Sequence, residues 1–155
     1  MKIKHLIAGL SLFTSTLVFA QPSALEPLES WQKRRPNWAD DTTDLAYATT
    51  RCGVLYSVIG GVFIQSPKTD DDKKRGMDAT ARGMKLVLIG DLLAKEVGWA
   101  DEKRSQRVGD ISKLYVDVIA SNRTTHNNMF HGFIEHDWKF CIDHEKKINA
   151  SLPKK

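Results

Sequence analysis

Gly53 and Gly60 stand seven residues apart in one stretch of the chain, and Gly76, Gly83 and Gly90 stand seven apart in the next. Seven residues are close to two helical turns, so each set falls along one side of a helix. Ala46 continues the first ladder, with Thr49, Thr50 and Ser57 between its rungs; Ala79, Thr80 and Ala94 lie on roughly the same side as the second. An interior glycine costs a helix about 1 kcal/mol relative to alanine. Five cost about 5 kcal/mol, a large share of the stability of an ordinary domain. Some gain must offset that cost. The simplest is a close approach of the two helix backbones, which stripes of small residues permit. A slot for an apolar ligand or a partner helix is a second reading. A membrane-inserting hairpin is a third, and Arg51, Lys85 and Asp91 interrupt both segments against it.

Apolar spacing extends the helical pattern over the rest of the chain. Residues 44–65 place Leu45, Ala48, Cys52, Leu55, Ile59 and Val62 at alternating intervals of three and four, one face of a helix. Asp41, Thr42 and Thr43 offer N-caps to it, and Ser66-Pro67 closes it. Residues 71–97 predict a second helix with Met77, Ala81, Met84, Leu88 and Leu92 as its buried stripe. Thr69 and Asp72 form a capping pair, and Gly98 suits the position past its end. A third helix is expected over 102–121, buried through Val108, Ile111, Leu114, Tyr115 and Val118. A fourth is expected over 128–149, with Ile134, Trp138, Cys141 and Ile148 on one side. Residues 21–43 hold Pro22, Pro27 and Pro36 around Trp31 and Trp38, which predicts an irregular N-terminal arm whose tryptophans pack onto the domain.

The start of the chain sets its compartment. Lys2 and Lys4 precede an apolar run from Leu6 to Val18, and Val18-Phe19-Ala20 provides a cleavage site before Gln21. That is the layout of a secretory signal peptide, and the run is too short for a membrane anchor. The expected division is a cleaved signal peptide over 1–20, the arm over 21–43 and a helical domain over 44–150, in a secreted or periplasmic protein without a membrane span. The full sequence carries a formal charge of +4, and removing Lys2 and Lys4 leaves 21 basic against 19 acidic residues, a net +2. The short basic clusters, Lys33-Arg34-Arg35 and Lys103-Arg104 with Arg107, read as solvated surface, so no nucleic-acid partner is expected.

Cys52 and Cys141 are the only cysteines. In an oxidising compartment they are expected to pair. A bridge closing about 90 residues contributes roughly 4–5 kcal/mol in the chain-entropy account. Short connections between four helices predict an all-α, antiparallel up-down-up-down four-helix bundle. In that topology both cysteines fall about 12 Å from one end, so bundle and bridge support each other.

The chemistry-bearing residues cluster late. His126, His131, His136 and His144 run beside Glu135, Asp137, Asp143 and Glu145. His131 and Glu135 share one face, and Asp137, Cys141 and His144 share another. The segment His131-Gly-Phe-Ile-Glu135-His136 is not a zinc-protease motif, because its histidines are five apart and the glutamate is not beside the first. Solvated or capping histidines are the expected outcome, with no metal and no cofactor. Arg51 is expected near the bundle edge in a surface ion pair with Asp137 or Glu145. No nucleophile elbow, phosphate-binding glycine loop or haem-attachment motif is present. The function expected is that of an exported, non-enzymatic binding protein, inhibitor- or immunity-like, for an unknown protein or small ligand. It would be a monomer or small homo-oligomer. The alternative is a metal- or cofactor-binding bundle using the last helix.

Overall fold

In a computed structural model, residues 26–151 are described. The signal-peptide reading of residues 1–20 lies outside them. The described residues form five helices and no strand: α1 (Leu28–Arg34), α2 (Thr42–Gln65), α3 (Asp70–Glu96), α4 (Asp101–His126) and α5 (Phe133–Ser151). The expected helices recur as α2 to α5 with shifted ends. The expected irregular arm instead contains α1, two turns fitted between Pro27 and Pro36. Pro27 precedes the first helical residue, where its fixed φ is harmless, so the prolines bracket a helix. Trp31 and Trp38 bury themselves against the domain, Trp31 on Tyr47 and Trp38 on Phe140.

Local chemistry sets the helix ends. Asp41 accepts a hydrogen bond from the Asp44 N–H at the start of α2. Thr69 and Asp72 form a reciprocal capping box on α3. Gly98, at φ +79°, supplies the left-handed turn after α3.

Helix α2 is the centre of the molecule, packed along its length on α3 and also against α4 and α5. Cys52 of α2 and Cys141 of α5 form a disulfide. Among the described residues α2 alone is long and apolar enough to cross a membrane, and most of that apolar stretch is buried inside the protein.

The α2–α3 interface is built on the glycines. A Cβ at Gly53 would lie 2.6 Å from the Val87 nitrogen, and one at Gly83 would lie 2.6 Å from the Gly53 carbonyl oxygen. Gly60 and Gly76 meet in the same way, each within 2.8 Å of the other's carbonyl, and Gly90 meets the Thr50 backbone nitrogen at 2.8 Å. Partners climb α2 as they descend α3. There is no room for a methyl group at any rung.

That packing overturns the expected buried face of α3. Gly76, Gly83, Leu86, Gly90 and Ala94 face inward, and the predicted stripe points outward. Met77, Met84, Leu88 and Leu92 are 52%, 59%, 65% and 66% exposed, and Ala81 is exposed with them. The physical reason is that α3 can bring only one face to α2. Backbone contact over the full ladder requires that face to be the glycine one.

Candidate functional site

Three regions carry chemistry beyond plain packing: a buried polar core around Arg51 and two surface clefts. Arg51 lies on the α2 face away from α3 and is fully buried. Its guanidinium donates to Asp137 Oδ2 at 2.6 Å, to the Tyr115 hydroxyl at 2.8 Å, to the Tyr47 hydroxyl at 3.0 Å and to the Glu26 carbonyl at 2.7 Å. Tyr115 donates its own proton to Asp137 Oδ2 at 2.6 Å. Burial, against the pull of Arg51 and with Asp137 alongside, holds the Tyr115 phenol well above its ordinary range, so it stays a donor. Asp137 Oδ1 accepts the Leu28 N–H at 2.6 Å. Pro27 has no side chain able to cap α1, and Asp137 supplies that cap from 109 residues away.

The expected surface ion pair of Arg51 therefore has one of its named partners but the wrong environment. The reason lies in the segment before α1. The Glu26 carbonyl and the Leu28 N–H close over the pair and satisfy hydrogen bonds that water would otherwise make. Every buried side-chain nitrogen and oxygen among the described residues has a partner. The residues of this core are fully committed to one another, which is the arrangement of a structural pin.

The first cleft, about 280 Å³, lies between α1 and α5 against Trp38, Phe140 and His144. His144 is 3% exposed, and burial, with Lys147 nearby, lowers its pKa to about 4, so the ring is neutral. Its Nε2 lies 2.9 Å from the hydroxyl of the fully buried Thr49. One of the two donates to the other, according to which ring nitrogen carries the proton. His144 is therefore neither a solvated histidine nor a capping one, as the sequence pattern had suggested.

The polar cluster predicted from the sequence does not assemble. His131 is exposed and stacks on His126 at 3.7 Å. Glu135 is exposed and pairs with Lys139 at 2.6 Å. Asp137 and His144 are both buried but serve different partners. Among the described residues no three His, Cys, Asp or Glu side chains converge as a metal site.

The second cleft, about 320 Å³, lies where α3 turns into α4 and is lined by Val87, Leu88, Ala94, Trp99, Arg107 and Val108, among others. Arg107 packs over Trp99, its guanidinium carbon 3.8 Å from that ring's centroid and 5.6 Å from that of Tyr47. Neighbouring Arg104 is held by Asp91, Asp101 and the Trp99 carbonyl. Arg107 has no carboxylate within ion-pair distance among the described residues, and burial lowers its pKa despite Tyr47 nearby. The reading of Lys103, Arg104 and Arg107 as solvated surface thus fails for the two arginines. Nothing in the sequence signals that Trp99 packs over Arg107. No family model, curated protein or solved structure matches the chain.

Proposed function

We propose that this is an exported, non-enzymatic binding protein, inhibitor- or immunity-like, whose working face is the outward side of α3. One observation carries the reading: Met77, Met84, Leu88 and Leu92 stand at least half exposed along one helix, while the helix is held from behind by glycines. Contiguous exposed apolar surface marks interaction sites on soluble proteins. Methionines add adaptable contact area. The partner is a protein presenting an apolar surface of its own. The leader-like residues 1–20 support export, and the Cys52–Cys141 bridge fits an oxidising compartment. We read α2 to α5 as an antiparallel up-down-up-down bundle, supported by the short connections and by the bridge between its first and last helices.

A photo-crosslinking residue at position 88, used in the native host, tests the reading. One discrete adduct is expected at 88, none at the solvent-facing control position 113, and loss of the adduct when Met84 and Leu92 become glutamate. Equal labelling at 88 and 113, or an adduct indifferent to those substitutions, refutes it. An adduct with a second copy of the chain refutes the heterologous partner and makes the stripe a self-association face. Mass spectrometry of the exported protein should give an N-terminus at Gln21.

A further inference from the structure

We infer that the cleft at the α3–α4 turn is a binding site for a small apolar monocarboxylate, with its carboxylate on Arg107 and its hydrocarbon body against Val87, Leu88, Ala94 and Val108. The inference rests on the binding reading above and places a ligand at the end of the same α3 face, since Leu88 belongs both to the exposed stripe and to the cleft wall.

Charge comes first. The charged groups lining the cleft are Asp91, Arg104 and Arg107. Asp91 accepts from Arg104 Nε at 2.6 Å, an arginine it shares with Asp101. Arg107 is left as a half-buried cation without a counter-ion among the described residues. The undescribed residues contain no Asp or Glu side chain that could fill the role. A guanidinium carries five donors in a planar fork that matches a carboxylate with two parallel hydrogen bonds. Contact with the Trp99 ring restrains that group before any ligand arrives, which lowers the ordering cost of binding.

Shape and polarity select the rest of the ligand. A volume of about 320 Å³ is at the small end of the range for small-molecule sites and suits a short apolar body. Apart from the charged groups, the walls are mainly aliphatic or aromatic, with Thr50 and Ser105 the uncharged polar residues. A hydrophilic anion such as acetate would use the arginine and leave those walls wet. A neutral amphiphile would use the walls and leave the arginine uncompensated. A carboxylate on a short apolar body uses both.

Octanoate is the probe, titrated into the full exported protein by calorimetry and by following the four tryptophan indole N–H signals in NMR spectra. One equivalent is expected to bind with sub-millimolar affinity and to move the Trp99 signal, leaving Trp31 and Trp38 in place. Acetate and octan-1-ol should each bind at least about tenfold more weakly, the loss expected from forfeiting a charged hydrogen-bonded pair or the apolar contact. Arg107→Ala should cost at least about tenfold, Arg107→Lys should cost several-fold because it keeps the charge but not the fork, and Lys113→Ala should cost nothing. If Arg107→Ala disturbs folding, Leu88→Gln on the exposed rim gives the second readout, again with weaker octanoate binding. Octanol binding as tightly as octanoate, an unshifted Trp99, or full affinity in both Arg107 variants overturns the inference. If octanoate fails while the crosslink at 88 persists, the ligand falls and the protein-binding face stands; the reverse result removes the protein partner and keeps the ligand.

Discussion

The two sides of α2 are joined to the rest of the protein by opposite means. Toward α3 it offers Gly53 and Gly60, and backbone meets backbone. Toward α1, α4 and α5 it offers Ala48, Leu55 and Ile59 to the apolar core, and through Arg51, Thr49 and Cys52 it adds buried hydrogen bonds and a disulfide. The first side gains close dispersion contact and needs no specific partner atom. The second depends on each hydrogen bond being present, because its groups are buried and any one left unpaired is costly. One helix thus carries a joint limited by volume and a joint limited by chemistry.

The largest expected effect is on the chemical side. Asp137→Asn leaves the Arg51 guanidinium buried without its counter-charge, and should cost about 3–5 kcal/mol in urea unfolding. Pairing Asp137→Leu with Arg51→Met removes both charges together and should recover part of that loss, the Tyr115 hydroxyl and Leu28 N–H left without Asp137 keeping the remainder. A double variant as unstable as the sum of the singles would mean the groups do not act as a unit. Both carboxylate oxygens are in use, so the variant should also loosen α1, whose Leu28 N–H then faces an amide.

The second effect tests the same side by pH. His144 is neutral in the folded protein, with a pKa of about 4 against an ordinary 6.5. Between those values the unfolded chain binds the proton and the folded chain does not. Stability therefore falls as pH drops from about 6.5 to about 4, by up to about 3 kcal/mol, and this contribution is fully restored above 6.5. Lys147, Lys139, His136, Glu29 and Asp143 also line this cleft, so the variant comparison matters more than the slope itself. His144→Gln should flatten the curve in that window. An unchanged slope would mean that the ring is open to protonation in place.

Much of the chemical side was legible in the sequence. The stripe through Ala48, Cys52, Leu55 and Ile59 is buried as its spacing requires, and the two cysteines are bridged. Asp137 was readable as an acid within reach of Arg51. Its burial was not, because that depends on residues 26–28 folding over it, and nothing local to either residue encodes the closure. On the volume side the glycines were visible, but the buried face of α3 was assigned to its leucines and methionines. Hydrophobicity ranks those side chains above glycine for burial. It takes no account of the gain when two backbones touch, which no side chain records. The candidate cleft was the least legible part. Arg107 is a surface residue by composition and becomes half-buried only because the turn after Gly98 brings Trp99 onto it.

On the volume side, Gly83→Ala should cost about 1–3 kcal/mol, because the added methyl meets the Gly53 carbonyl and the Ser57 backbone, which cannot swing away. The adjacent glycines Gly60 and Gly61 then give the sharpest control and the smallest effect. Both are interior to α2 and share the same helix propensity. A Cβ at Gly60 would press on the Gly76 carbonyl at 2.7 Å, whereas one at Gly61 meets nothing within 4 Å. Gly61→Ala should therefore raise the unfolding free energy by up to about 1 kcal/mol, the ordinary helix gain, while Gly60→Ala should lower it. A rise in both variants would show that the ladder is not a contact surface at all. In that case the exposed face of α3 would lose its explanation too, since the glycines are what turn the leucines outward.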